Sequence, residues 1–413
     1  MLTPSDATDR LHAEIASREP SMRRDLERYV NIPTGFNHAP GLDELRGLVT
    51  ERCRALGAGV ESVPGDPRPA WVSPPSPGVG GENADAAGAA PPSVICRGPN
   101  ASVGPSILIA SHLDTVFDPA GPFTRFTLSP DGHKGFGPGV VDMKGGIVIA
   151  LHALEVLAAC GFRVNWTYFF NSDEETGTYH SAKALLQEAP RHAVGLATEP
   201  ALPGGGLAVE RKGSGQFLIE AFGRSAHAGR DFEKGASAVY ALARAVTAAE
   251  GLTDLPRGVT VNIGPLKGGE ATNIVPDYAA AWGNVRFPTP ADSGRFEAGF
   301  SRLNTGADAD APRVRARFTL NRPAKPLTPG TQRLAEFAAE TATLLGQSMT
   351  FASTGGVCDG NLMQAAGLPT IDSLGVCGGG LHTHDEWIEM RSLTERCELF
   401  ARLLLRLTEA WKA

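Results

Sequence analysis

Five short segments of this sequence end on side chains that could bind a divalent metal ion or take part in hydrolysis. The first, residues 107–117 (ILIASHLDTVF), is an apolar run that reaches His112 and Asp114. A spacing of two places both side chains on the same side of an extended chain, at its carboxyl end. Ligands bind at that end of the strands in open α/β sheets, and a carboxylate beside an imidazole is a common way to hold a metal-binding histidine.

Four later segments have the same form, with polar residues at the end of an apolar or glycine-rich lead-in. They are GPGVVDMKGG with Asp142, YFFNSDEETG with Asp173, Glu174 and Glu175, LATEP with Glu199, and LHTHDE with His382 and His384. Each has an ordinary alternative: the acids could be solvated turn or loop residues, Asp142 could cap the following helix, and the histidines could lie on the surface.

Taken together, two histidines and three carboxylates at the ends of α/β elements form a ligand set for two divalent ions. Zinc accepts nitrogen and oxygen ligands, and one carboxylate can bridge two ions about 3.5–4 Å apart. Hydrolysis at such a site also needs a carboxylate that is close to the metal-bound water but not coordinated, as general base. The adjacent Glu174 and Glu175 provide one residue for each role.

Length and composition are those of an ordinary globular protein. A chain of 413 residues favours two domains, and 42% hydrophobic and 20% charged residues are typical values. The net charge of −7, without a basic stripe, excludes nucleic acid and anionic membranes as expected partners. The first residues lack the apolar core of a signal peptide, and no stretch is long and apolar enough to cross a membrane. The six cysteines are scattered along the chain, as is typical of reduced thiols. We therefore expect a cytoplasmic protein.

The first part of the chain has the pattern of an α/β domain with a parallel sheet. Hydrophobic spacing predicts helices over 5–31, 41–57, 145–160 and 180–188 and strands over 93–96, 107–110 and 164–170. The Pro/Gly/Ala-rich stretch 63–92 has few apolar anchors and is interpreted as a surface excursion.

The pattern changes after about residue 206. Strands are predicted at 215–223, 258–267, 273–287 and 313–320, with helices at 235–250 and 290–304, in the order of a split βαβ motif. A Pro-rich joint at 321–329 precedes a return to the first domain, which closes with a helix at 392–411. We therefore predict one domain from 1–206 and 323–413, interrupted by a smaller one at 207–322.

The strings HLDTVF, GPGVVDMKGG, DEETG, TEP and HTHDE resemble, in this order, the five motifs of the di-zinc aminoacylase/carboxypeptidase family of metallopeptidases. The resemblance extends from about residue 26 to the end, and HLDTVFDPAGPF makes it strongest to the bacterial glutamate carboxypeptidase branch. The family includes acetylornithine deacetylase and succinyl-diaminopimelate desuccinylase. The resemblance implies a zinc-peptidase-type α/β catalytic domain with a mainly parallel sheet, interrupted by a ferredoxin-like α+β domain that serves as lid and homodimer contact.

Site residues follow from the motifs by the same resemblance. His112 and Glu199 would bind one zinc and Glu175 and His382 the other, with Asp142 bridging both; Co²⁺ or Mn²⁺ are conceivable substitutes. Asp114 would orient His112, and Glu174 would be the general base. His382 is preferred to His384 because the family pattern is a histidine, then Thr383, then the acid Glu386.

The insert carries further residues that resemble family positions. His227 in GRSAHAG would reach across the dimer to stabilise the oxyanion, and Asn273 and Arg286 would clamp a substrate carboxylate. An ordinary helix-start histidine and a plain surface arginine remain the alternatives for His227 and Arg286. Lys212 and Gly356, with Gly355 and Asp359, look like further family positions near the site.

These residues predict a zinc-dependent hydrolase that cleaves an amide bond of an acyl-amino acid or peptide and releases an amino acid with a free carboxylate. The reaction implied is attack by a zinc-bridged hydroxide, with Glu174 as general base. The main alternative is an N-acyl-amino-acid deacylase or another small-molecule amidase that uses the same site. A remote alternative is a non-catalytic binding protein with this fold. Absence of G-x-S-x-G and HExxH argues against a serine hydrolase and a zincin.

Overall fold

The computed structural model describes residues 4–35, 38–72, 90–306 and 311–412. Helices α1 to α9 span Pro4–Val30, Ala39–Ala55, Gly145–Ala159, Ala182–Glu188, Ala238–Glu250, Pro290–Ser301, Pro329–Leu344, Asp359–Ala365 and Ser392–Ala410. None of these helices combines the length and the apolar composition that crossing a membrane requires, within the ranges described.

Eighteen strands, all short or of moderate length, are described in these ranges. Strands β1 to β18 span Gly59–Val63, Ser93–Arg97, Ile107–His112, Thr127–Leu128, Lys134–Phe136, Trp166–Asn171, Val194–Ala197, Leu207–Arg211, Gly213–Phe222, Ala226–His227, Thr260–Gly268, Ile274–Val275, Tyr278–Phe287, Arg313–Arg322, Phe351–Thr354, Thr370–Ile371, Gly378–Gly379 and Trp387–Glu389.

The larger sheet has the strand order β1-β2-β6-β3-β7-β16. The neighbours from β6 to β16 pair in parallel, whereas β1 and β2 form an antiparallel edge. Every residue of β3 and β6 is buried, and α3 is apolar on almost all sides, because these elements lie in the middle of the core. The mainly parallel sheet confirms the predicted fold class.

The smaller sheet is antiparallel, with the order β11-β13-β9-β14. Its strands and α5 and α6 follow each other in the predicted β-α-β-β-α-β order and enclose a separate hydrophobic core. Both helices begin at side-chain caps: Ser237 accepts a hydrogen bond from the main chain of Tyr240, and Thr289 from that of Asp292. The α+β character of this insert matches the prediction.

The structure differs from the sequence interpretation in four places. β8, which the prediction assigns to the insert, pairs in parallel with β15 and packs into the core of the larger domain. The strand predicted over 273–287 is two strands, because β12 leaves the sheet to pair with β10. The last strand of the insert continues to Arg322, into the predicted joint. The stretch 63–92 begins on strand β1 and includes a helical turn at Ala70–Val72, while 73–89 lie outside the described residues.

Candidate metal centre

The candidate ligands lie at the carboxyl ends of neighbouring parallel strands. β3 ends at His112, Glu174 and Glu175 follow β6, and Glu199 follows β7. Because β3 lies between β6 and β7 and runs parallel to both, the three strand ends meet at one edge of the sheet. Asp142 reaches the same edge from the turn that precedes α3.

Asp142 lies at the centre of the cluster and directs one carboxylate oxygen toward each of two histidines. Its Oδ1 is 3.2 Å from His112 Nε2, and its Oδ2 is 3.5 Å from His382 Nε2. Glu199 Oε2 lies 3.9 Å from His112 Nε2, and Glu175 Oε2 lies 3.4 Å from His382 Nε2. The five side chains thus form two groups that share Asp142.

The spacing of these atoms matches that of metal ligands. Two corners of a tetrahedron around zinc are about 3.3 Å apart when the bonds are about 2.0–2.1 Å long. One ligand atom from each of His112, Asp142 and Glu175 lies within 4.8 Å of the other two. Imidazole nitrogens and carboxylate oxygens at these distances fit divalent cations.

The electrostatics of the cluster also favour bound positive charge. Burial raises the pKa of Glu175 to about 8 and that of Glu199 well above its ordinary value. Hydrogen bonds to Asp142 and Glu175 raise the pKa of His382 to about 10. Burial alone would raise the pKa of Asp142, but its contacts with His112 and His382 outweigh burial and lower it. Burial thus disfavours uncompensated negative charge on Glu175 and Glu199, and a cation held between these carboxylates would offset that cost.

Asp114 has contacts that the sequence argument did not foresee. His112 Nδ1 is 3.0 Å from the main-chain oxygen of Asp114, while the nearest carboxylate oxygen of Asp114 is 3.5 Å away. That carboxylate accepts hydrogen bonds from the main-chain N–H groups of Glu174, at 3.1 Å, and Glu175, at 2.9 Å. Asp114 therefore connects the imidazole to the turn that carries both glutamates.

Arg322, which sequence analysis missed, holds the side chain of Glu174. Its guanidinium is fully buried and donates to Glu174 Oε1 at 2.8 Å and to the carbonyl of Gly177 at 2.6 Å. Breaking a buried pair by removing one partner costs about 3–5 kcal/mol, so this contact restrains Glu174 strongly. The available signal was an arginine in the predicted joint at 321–329, which by itself indicates no partner.

Glu386 holds the main chain on either side of the bridging position. It was singled out only as the acid that completes the HTHDE motif. Its carboxylate accepts hydrogen bonds from the N–H groups of Gly139, Val141 and Asp142, at 2.8–3.0 Å. Charge-assisted bonds of this kind are the strong ones, and they position Asp142 through its own backbone.

A cavity of about 430 Å³ adjoins the cluster, and it contains only some of the predicted substrate residues. Arg286 and Gly356 line it together with Glu174, Glu175 and His382. The other three lie elsewhere: His227 and Asn273 are exposed on the β10–β12 pair, and the ammonium group of Lys212 donates to the carbonyl of Gly258 at 2.6 Å.

We expect the two histidines of the HTHDE motif to respond differently to replacement. On the predicted two-zinc assignment, His382→Ala should lower bound zinc from about two ions to about one per chain, because a four-coordinate site loses one ligand. His384 is the matched control, since its ring packs against Phe123 and Phe117 at 5.5 and 6.3 Å between centroids. Metal analysis after dialysis should show no loss in His384→Ala; equal losses in both variants would contradict the assignment.

Comparisons with known proteins agree with this geometry. The model of peptidase family M20/M25/M40 matches residues 108–406. Carboxypeptidase G2 of Pseudomonas sp. (strain RS-16) is 28% identical over 408 residues, which cover 94% of this chain and 90% of that protein. A tripeptidase from Staphylococcus aureus superposes with a TM-score of 0.75 at 22% identity, covering 95% and 99% of the two chains.

A second solved structure, the Bacillus subtilis YXEP protein, is described as a dinuclear metal-binding peptidase of family M20. It superposes with a TM-score of 0.62 at 18% identity and covers 96% of this chain and 99% of its own. At these identities the two solved structures establish the shared fold.

Proposed function

Because this chain belongs to peptidase family M20/M25/M40, a family of hydrolases, we propose that it cleaves an amide bond and releases an amino acid with a free carboxylate, as a glutamate carboxypeptidase does. The observation that carries this proposal is the position of Arg286. Its guanidinium lines the cavity beside Glu174 and the ligand cluster, and its buried Nη1 has no hydrogen-bond partner among the described residues.

Two divalent ions, zinc in our proposal, would be held by the two groups that share Asp142. His112 and Glu199 would complete one site, and Glu175 and His382 the other. Bound there, the ions would polarise the scissile carbonyl and acidify the attacking water. The proposal is supported by the two oxygens of Asp142, each of which lies close to a different histidine.

Glu174 is the general base in this proposal. It lines the cavity next to the cluster but is held by Arg322, so its carboxylate is restrained beside the ligands without being one of them. From that position it would take a proton from the attacking water and deliver it to the nitrogen of the leaving amine. Asp114 supports this role through its hydrogen bond to the main chain of Glu174.

Arg286 would bind the carboxylate of the leaving amino acid. Its Nε donates to Asn284 Oδ1 at 2.9 Å, which fixes the plane of the guanidinium and leaves Nη1 for a ligand. Burial, with the nearby positive charge of Arg322, lowers the pKa of Arg286 from its ordinary value. A partly buried cation of this kind gains most from a ligand that carries a carboxylate.

We assign the lid and the dimer contact to residues 207–322, with the rest of the chain as catalytic domain. His227 and Asn273 are exposed, and the main chains around them are joined by a hydrogen bond of 2.9 Å from Ala228 N to Asn273 O. In the proposed homodimer these side chains would serve the cavity of the partner subunit, where His227 would stabilise the oxyanion. Lys212 and Gly356 would support the substrate from the joint between the two parts.

A panel of N-acyl amino acids and peptides, hydrolysed by zinc-loaded protein, tests the proposal. We expect hydrolysis of N-acyl-glutamate and a loss of about 10- to 100-fold in kcat/KM when its α-carboxylate is converted to the amide, because the contact with Arg286 is lost. A chelator should abolish turnover, and added zinc should restore it. A protein that holds two zinc ions per chain yet hydrolyses none of these compounds would rule the proposal out.

A further inference from the structure

The segment 66–72 joins the two parts of the molecule, although its composition had predicted a loose surface excursion. At one end, Asp66 exchanges hydrogen bonds with His180 next to the larger sheet: Asp66 N to His180 O at 2.9 Å, and His180 Nδ1 with Asp66 O at 2.6 Å. At the other end, Trp282 of the smaller sheet donates from Nε1 to the carbonyl of Trp71 at 2.9 Å.

Trp71 covers the face of the smaller sheet that the helices leave open. Leu218, Ala280 and Trp282 form a small cluster with its ring, and their strand neighbours point to the opposite face, into the core with α5 and α6. The guanidinium of Arg317 lies 5.5 Å from the centre of the Trp71 ring. Apolar packing and a hydrogen bond at one end, with hydrogen bonds at the other, hold the segment in one position.

This position brings Arg68 and Val72 to the wall of the cavity that contains Glu174 and Arg286. The Arg68 guanidinium lies 5.2 Å from the centre of the Tyr179 ring, and its buried Nε has no hydrogen-bond partner among the described residues. The Tyr179 ring therefore positions the guanidinium of Arg68 at the cavity wall, where no carboxylate of the described residues pairs with it.

The charges around the cavity are unevenly matched. Arg322 is paired with Glu174, and Glu175 contacts His382. Arg68 and Arg286 have no carboxylate within ion-pair distance in the part of the chain that the structure describes. Several residues that line the cavity have a buried polar atom without a hydrogen-bond partner among the described residues: Arg68, Tyr179, Arg286, Asn321 and Arg322. Two unmatched guanidiniums in a polar cavity fit a ligand with two anionic groups.

We propose that Arg68 binds a second carboxylate of the substrate, distinct from the one bound by Arg286, and that the segment 66–72 is a specificity element of the cavity. The proposal rests on the proposed function, which supplies the first carboxylate. The second belongs either to the side chain of the released amino acid or to an anionic acyl group. Both present the same planar group to the same guanidinium fork.

Two matched pairs of substrates separate these sources. N-acetyl-glutamate is compared with N-acetyl-glutamine, and N-succinyl-alanine with N-butyryl-alanine, so that only the second charge differs. In one of the pairs, Arg68→Ala should lower kcat/KM for the charged member by about 10- to 100-fold and leave the neutral member within about twofold. Arg68→Lys should recover part of the loss, since it restores the charge without the fork.

Two further variants test whether the loss of kcat/KM depends on Arg68 and on the position of the segment 66–72. Arg24→Ala, which removes a charge from the exposed side of α1, is the matched control and should change neither pair. Trp71→Ala should reproduce part of the Arg68→Ala loss, selectively for the charged member, because it releases the segment from the smaller sheet without removing a charge. Thermal unfolding checks that each variant is folded.

A binding measurement keeps this inference separate from the proposed function. Calorimetry should show that the wild type binds glutamate more tightly than glutamine, or succinate more tightly than butyrate, and that Arg68→Ala removes the preference. Equal effects of Arg68→Ala on charged and neutral compounds would overturn the role of Arg68, even in an active enzyme. A protein that shows the binding preference but no hydrolysis would instead refute the proposed function alone.

Discussion

Glu174→Gln should lower kcat about 10²–10⁴-fold while the bound zinc stays near two ions per chain. General acid–base catalysis contributes a factor of this size, and the substitution keeps the shape of the side chain but removes its ability to accept a proton. Arg322 can still donate to the amide oxygen, so the turn should stay in place. Steady-state kinetics and metal analysis on the same preparation measure both quantities.

The adjacent residue provides the matched comparison for this prediction. Glu175→Gln alters a side chain 3.4 Å from His382 Nε2, and we expect that variant to lose metal as well as activity. A Glu174→Gln variant that loses zinc to the same extent, or one that keeps wild-type turnover, would show that the two glutamates had been assigned the wrong roles.

Asp142→Asn should have the largest effect on metal content, with bound zinc falling below about one ion per chain and turnover falling to background. The two carboxylate oxygens of Asp142 serve the two groups of ligands, so one substitution weakens both sites. The loss in affinity should exceed the about 10- to 100-fold change that is usual when a residue behind a ligand is replaced. Competition with a chromogenic chelator measures this affinity.

Two other variants provide the comparison for the zinc content of Asp142→Asn. His112→Ala should empty one site, because His112 Nε2 lies 3.2 Å from Asp142 and 3.9 Å from Glu199 and so belongs to the first group of ligands. Asp118→Asn, at an exposed carboxylate a few residues beyond β3, should leave both sites filled. If Asp142→Asn retained two ions with wild-type affinity, a bridging role for Asp142 would be refuted.

Much of the fold was predictable because its signals are local. The apolar run before His112, the core-type helix after Asp142 and the alternation in the insert depend on spacings of two to four residues. Such patterns carry no information on register between distant strands. The separation of β12 from β13, and the extension of β14 to Arg322, are decided by pairing with strands elsewhere in the chain.

The candidate ligands were likewise predictable as residue types at the ends of α/β elements, and the structure brings all five together. The residues that hold these ligands and the general base in position were not predictable from the sequence. Arg322 lies 148 positions from Glu174 in the chain, and Glu386 lies 244 positions from Asp142. In a sequence, a single arginine or glutamate is most simply interpreted as a solvated surface residue. Its buried partner is known only once the sheet and the insert have packed together.

The sequence by itself therefore determined which side chains could bind metal and act as a base, because residue type and strand period are properties of short segments. Only the tertiary structure decided which oxygen of Asp142 lies near which histidine, and that Glu174 is held by Arg322. It also decided that Arg68 lies in the wall of the cavity. These are contacts between segments far apart in the chain. The packing of Trp71 against the smaller sheet places Arg68 in the cavity wall, although composition alone had predicted a surface excursion for this stretch.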